Sequence, residues 1–153
     1  MEPEGRIPMF IHDRTRLFCE LHRAQKWLTQ DDFLTQWLPG VPDNFEVTDI
    51  QPREKVVAVW KTIGKEGLLI TERLEFHMMP CASRTQYCTE IHLMIFPDPR
   101  EVSDQEDEGR QYWRRATALF WKDRLEALRR CVNGDWVIED KDLNRSILLR
   151  SRL

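Results

Sequence analysis

The stretch that decides the fold is SDQEDEGRQYWRRATALFWKDRLEALRRCV, residues 103–132. Trp113, Thr117, Phe120, Trp121, Leu125, Leu128 and Val132 recur three or four positions apart and form one broad stripe. Arg114, Arg115, Lys122, Arg129 and Arg130 fall mainly on the flanks and outer face, the pattern of a helix buried along one side. Ser103-x-x-Glu106 has the form of a capping box, and the acidic run Asp104 to Glu108 suits the positive end of the helix dipole. Asn133-Gly134 supplies a left-handed stop. The expected helix has about 28 residues and spans about 42 Å at 1.5 Å per residue. A helix of that length needs an apolar surface to cover.

The residues before it supply one. Segments 68–79 and 85–96 carry the strongest strand alternation, and their apolar faces match if opposed residue numbers sum to about 165. That register sets Ile70 opposite Ile95, Leu74 opposite Ile91 and Met78 opposite Tyr87, with Arg73 near His92, His77 near Cys88 and a tight turn at Ala82-Ser83. A second hairpin runs from Asn44–Ile50 through Gln51-Pro52-Arg53 to Val56–Trp60, and Gly64 and Gly67 bracket the turn that follows it. Pro97-Asp98-Pro99 ends the sheet. Upstream, Arg16–His22 reads as a first strand and Arg23–Leu28 as a short helix. Oxygens of the Thr29-Gln30-Asp31-Asp32 run are suited to start a second helix through Phe33, Leu34, Trp37 and Leu38, which Pro39-Gly40 stops. The order is α+β: one strand, two short helices, further antiparallel strands to a total of five or six, then one long helix that must cover a single sheet face. A sheet that clasps a helix has to curve, and a bent sheet against a straight helix leaves room for a pocket. The expected organisation is an arm at residues 1–13, a domain at 14–133 and a tail at 134–153. In the tail, Trp136, Val137, Ile138, Ile147, Leu148 and Leu149 have no assigned partner.

Composition narrows the function. A chain of 153 residues, 41% apolar and 32% charged, can bury one hydrophobic core, to which six tryptophans must contribute heavily. A net charge of -3 provides no field for DNA or RNA, and the arginines of the long helix are interspersed with acids, as on a solvated face. The N-terminus lacks a basic start followed by an apolar run, and no stretch of about 18 apolar residues occurs, so a cytoplasmic protein without membrane insertion is expected. Cys19, Cys81, Cys88 and Cys131 show no C-x-x-C pair and read as reduced thiols. His12 falls in the arm and the other three histidines on strands, without metal-ligand spacing; no phosphate loop, dinucleotide fingerprint or serine elbow is present. No metal, cofactor or catalytic residue is therefore expected.

Three segments resemble a known family. Arg23 to Leu38, RAQKWLTQDDFLTQWL, is similar to the tryptophan-containing helical segment of SRPBCC (START-like) proteins, especially the C-terminal domain of heat-shock-protein ATPase activators. Ile50-x-Pro52 leading to Trp60 resembles that family's hairpin, and Trp121-x-x-x-Leu125-x-x-Leu128 its terminal helix, with Phe120 where the family commonly has glycine. The resemblance covers about residues 16–132 and implies a helix-grip fold, a curved antiparallel sheet around a long C-terminal helix.

The candidate pocket residues are Trp60, Ile70, Glu72, Leu74, Phe76, Met78, Tyr87, Ile91, Trp113, Thr117, Phe120 and Arg124, whereas Trp27, Trp37 and Trp121 read as packing. Glu72 interrupts an inward-facing apolar series. It lies either hydrated at the open end of the pocket, the reading preferred here, or paired with Arg124. The leading expectation is a binder of a small hydrophobic or lipid-like ligand. An alternative is a co-chaperone-like interaction module, with a protein partner or a homodimer formed through the tail. The third is a cyclase- or hydrolase-like enzyme using Glu72 and Arg124, as related members suggest by resemblance.

Overall fold

In the computed structural model, which describes residues 10–63, 67–99 and 107–144, the period-2 segments form one curved antiparallel sheet. Its strands are β1 (Ile11–Leu17), β2 (Phe45–Gln51), β3 (Lys55–Ile63), β4 (Leu69–Ala82) and β5 (Tyr87–Phe96), in the spatial order β1-β5-β4-β3-β2. Helices α1 (Leu21–Thr29) and α2 (Asp31–Trp37) connect β1 to β2, and α3 (Asp107–Asn133) follows the sheet. Alternate residues of the strands share a face. Val56, Ala58 and Trp60 of β3, Leu74, Phe76 and Met78 of β4, and Ile91, Leu93 and Ile95 of β5 are all buried there. Trp121, Leu125 and Leu128 of α3 join the same core, as do Trp27, Leu28, Leu34 and Trp37 of the short helices. The buried Trp37 indole donates to the Trp27 carbonyl at 2.9 Å, which locks α2 onto α1.

Several local expectations are corrected. The first strand is Ile11–Leu17, not Arg16–His22, and it begins inside the segment read as an arm. By Glu20 the chain has already turned: its carbonyl accepts from the Arg23 and Ala24 amides, so Leu21 and His22 open α1. No side chain of the Thr29–Asp32 run caps α2; its N-cap is Gln30, without a side-chain cap bond, and Thr29 bonds back to the Gln25 carbonyl. Asp31 and Asp32 instead favour the first turn through their charge. In β2 the alternation breaks at a bulge between Val47 and Asp49.

The β4–β5 register differs from the expected one by four residues. Leu74 faces Ile95, Met78 faces Ile91, His77 faces His92 and Arg73 faces Phe96. The hairpin closes over Ser83–Gln86, where Ser83 Oγ accepts from the Gln86 amide at 3.0 Å and donates to the Gln86 carbonyl at 2.8 Å. A shift by an even number leaves every side chain on its own face, so apolar matching does not separate the two registers. The actual register sets Cys81 opposite Cys88, Cα atoms 5.0 Å apart, and the two form a disulfide. The expectation of four reduced thiols holds only for Cys19 and Cys131, and a cytoplasmic location loses the support it drew from that reading.

The first part of the tail folds back on its own domain. Leu143 bridges to Ser83, the Arg84 amide donates to the Asp142 carbonyl and the Asn144 amide to the Ala82 carbonyl. Ile138 is buried against the Cys81–Cys88 pair, with Phe18 and Leu143 beside it. Arg129, expected on the solvated face of α3, is buried under this return: it pairs with Glu126 and donates to the Trp136 carbonyl. The Gly64 turn position, the Ser103/Glu106 capping box, most of the arm and Ile147-Leu148-Leu149 lie outside the described residues.

Candidate functional site

On the sheet face that meets α3, Trp60 stands opposite Glu72 and Thr62 opposite Ile70, across the β3–β4 ladder. On α3, Trp113, Ala116, Thr117, Phe120 and Trp121 follow one another at helical spacing on the side turned to these strands. The helix backbone runs nearest β1 and α2 and stands off from β3 and β4. Large rings cross the gap. Trp60 lies 5.6 Å from Phe120 and 5.5 Å from Trp121, and Phe120 lies 5.2 Å from Trp121, all between ring centroids. They do not fill it: an open cleft of about 640 Å³ remains, lined by these residues together with Ile63.

Glu72 is 8% exposed and accepts a hydrogen bond from Trp113 Nε1 at 2.6 Å. Among the described residues it is the Trp113 indole, and not Arg124, that is seen bonded to it. The Arg124 guanidinium donates instead to the Trp37 carbonyl at 3.1 Å and ties α3 to α2. Of the residues singled out from the sequence, the structure brings Trp60, Ile70, Glu72, Trp113, Thr117 and Phe120 together around the cleft. Leu74, Phe76, Met78 and Ile91 are packed in the core. Tyr87, opposite Ala82 in the actual register, is 60% exposed. It borders a different groove of about 630 Å³, at the other end of α3, shared with Phe18, Cys19, His22 and Trp27. Thr62, Ile63, Ala116 and Trp121 line the cleft without having been singled out for it. The signal for Thr62 was its place two residues beyond Trp60 on the same face, and for Ala116 its place between Trp113 and Phe120 on the helix stripe.

The opposite sheet face is polar. His12 Nε2 and His92 Nδ1 share a hydrogen bond of 2.8 Å, and the two rings stack. His92 Nε2 bonds Glu90 at 2.6 Å, and Glu90 also takes the Arg16 guanidinium at 2.6 Å. Burial pushes the Glu90 carboxyl up, but the hydrogen bonds from Arg16 and His92 and their charge outweigh it and hold the group below the usual carboxylate range. Arg16 continues to Asp140 and the Ile138 carbonyl, anchoring the returning tail. Burial pushes the Cys19 thiol up to about 11 and raises Cys131 as well, so neither thiol is an activated nucleophile at neutral pH. Among the described residues no three histidine, cysteine or acidic side chains converge in a way that could hold a metal ion, and no helix is long and apolar enough to cross a membrane.

No family profile and no curated protein sequence matches the chain. Solved structures do. Protein MLL2253 from Mesorhizobium loti aligns with a TM-score of 0.58 at 13% identity, over 84% of this chain and 100% of its own. The Aha1 dimer from Colwellia psychrerythraea, a solution structure, aligns with a TM-score of 0.56 at 16% identity, over 84% of this chain and 99% of its own. The chain has the helix-grip fold. CalU16 from Micromonospora echinospora, with a TM-score of 0.56 at 13% identity over 94% of this chain and 83% of its own, shares it. At these identities the likeness shows the helix-grip architecture alone, and agrees at that level with the resemblance carried by Arg23–Leu38. In this helix-grip domain the cleft opens between the β3–β4 hairpin and the first half of α3.

Proposed function

We propose that this domain binds a small hydrophobic ligand, with the cleft between β3–β4 and α3 as its site. The observation that carries the reading is the open space of about 640 Å³ among Trp60, Trp113, Phe120 and Trp121, within the size range of small-molecule sites. Large apolar side chains at a solvent-open boundary, next to a core that is otherwise closed, are what an apolar ligand needs. The Arg124 guanidinium donates to the Trp37 carbonyl, which favours the binding reading over an enzymatic one that joins Arg124 to Glu72.

The test is a titration of the full chain with 1-naphthalenemethanol, followed by tryptophan fluorescence, for the native sequence and for Thr117→Phe. Thr117 is only partly buried and lines the cleft, so the added ring occupies ligand space rather than core. The expected result is saturable binding that weakens by roughly tenfold or more in the variant, about 1.4 kcal/mol or above, with the melting temperature held within a few degrees. Absence of binding, or equal affinity in both proteins, contradicts the proposal.

A second reading, a protein-interaction module, draws support from Trp136 and Val137, adjacent and 72% and 54% exposed on the returning tail. Sedimentation of the full chain as a monomer at all concentrations removes the homodimer form of this reading.

A further inference from the structure

We propose that the Cys81–Cys88 disulfide is a redox latch for the returning tail. Oxidised, it holds residues 142–144 on the β4–β5 turn; its reduction by a small dithiol releases them while the rest of the domain stays folded.

The tail is fastened at two places. Close to α3, the Arg129 guanidinium donates to the Trp136 carbonyl, and Arg16 donates to the Ile138 carbonyl and to Asp140. These anchors stand on α3 and β1 and do not involve the cysteines. Further along, the tail's backbone contacts among the described residues fall on Ala82, Ser83 and Arg84. The Arg84 amide donates to the Asp142 carbonyl at 2.7 Å, the Asn144 amide donates to the Ala82 carbonyl at 2.6 Å, and Leu143 bridges to Ser83. All of these receiving residues lie inside the short ring that the disulfide closes, whose two cysteines are seven positions apart. Ile138 is buried against the cysteines themselves, with Phe18 and Leu143 beside it. A cross-link limits how far a loop opens. Here the loop is the surface on which the tail docks, so the cross-link and the far end of the tail depend on one set of positions.

The sulfurs can be reached. Cys81 and Cys88 are only 4% and 2% exposed, but both border an open hollow of about 380 Å³, together with Leu21, Arg53, Pro80 and Tyr87. A dithiol that enters it attacks one sulfur as a thiolate, forms a mixed disulfide and expels the other sulfur. Its second thiol then displaces the first protein sulfur. The protein gains two thiols, and the reagent, having supplied two electrons and two protons, leaves as a cyclic disulfide. The turn is then closed by the β4–β5 ladder and the Ser83 bonds to Gln86 alone.

The experiment is amide hydrogen exchange on the full chain at neutral pH, with and without dithiothreitol. Reduction is expected to proceed without global unfolding and to speed exchange at Arg84 and Asn144 by roughly tenfold or more. The Phe18 amide, held by Asn133, and the amides of β3 should keep their rates. The double variant Cys81→Ala, Cys88→Ala should show the fast exchange at once and no further response to dithiothreitol, which separates the effect from the free thiols Cys19 and Cys131. If that variant does not fold, the native protein decides alone. Loss of the disulfide with unchanged rates at Arg84 and Asn144 overturns the proposal. So does a disulfide that resists dithiothreitol until the whole domain unfolds, or a reduction that speeds exchange in β3 as much as at the turn.

Discussion

Glu90 and Glu72 are both carboxylates on the sheet, and their surroundings give them different work. Glu90 lies on the face away from α3, where Arg16 and His92 hold it ionised and Arg14 approaches to 4.0 Å. Because its carboxyl sits below its unfolded value of about 4.3, it binds fewer protons folded than unfolded at mildly acid pH. Its contribution is therefore present above that unfolded value and disappears as pH falls through the folded one. Glu90→Gln is expected to cost about 1.5–3 kcal/mol at neutral pH. Urea unfolding should show this difference unchanged from pH 7 to about 5 and shrinking below about 4. A difference that persists undiminished into strong acid would show that packing, not charge, supplies it. Glu72 by contrast is met by an indole donor inside an aromatic cleft. The sequence marks it as an acid in an apolar series but does not reveal its partner. Trp113, 41 residues away, reads as a hydrophobe, and its single N–H comes into play only once α3 is laid on the sheet.

At the scale of elements, the two ends of α3 are held differently. At its C-terminal end the Asn133 amide donates to the Arg16 carbonyl at 2.9 Å and accepts from the Phe18 amide at 2.7 Å, closing the open backbone between β1 and α1. Gly134, at φ +66°, then turns the chain away. Asn133→Ala leaves both backbone groups without that partner in a largely buried place, and a loss of about 2–4 kcal/mol is expected, read as a lowered urea midpoint with an unchanged slope. A loss below about half a kcal/mol would mean that water replaces the amide at no cost. The helix itself was legible from its stripe, and the stop from Asn-Gly, but the amide's second role was not, since it depends on residues 115 and 117 positions away. The same distinction runs through the sheet. Period-2 alternation located both hairpins, and it assigned faces correctly on β4 and β5. It left the register open, because shifting by four residues exchanges one apolar pair for another. That one ambiguity misplaced Tyr87 and hid the pairing of Cys81 with Cys88. The tail was illegible for a related reason: Ile138 has a partner only after the correct register brings the disulfide and Phe18 beneath it.

For the molecule as a whole, the cleft follows from how the long helix is seated. Asn133 and the Arg124 bond to the Trp37 carbonyl fasten its second half to β1 and α2, while the first half faces β3 and β4 across bulky rings. Four of the twelve expected pocket residues, Leu74, Phe76, Met78 and Ile91, prove to be core because the sheet closes on the helix there, and the cleft is left around Trp60, Glu72 and Trp113. The six tryptophans provide a direct test of where a ligand goes. Trp60, Trp113 and Trp121 border the cleft, Trp37 lies in the core, Trp27 borders the groove at the other end of α3, and Trp136 stands exposed on the tail. The decisive measurement is the set of indole N–H resonances in a nitrogen-15 correlation spectrum of the full chain as 1-naphthalenemethanol is added. Saturable shifts at Trp60, Trp113 and Trp121, with Trp27, Trp37 and Trp136 still, are the predicted result; shifts confined to Trp27 or Trp136, or no shifts at all, would contradict it.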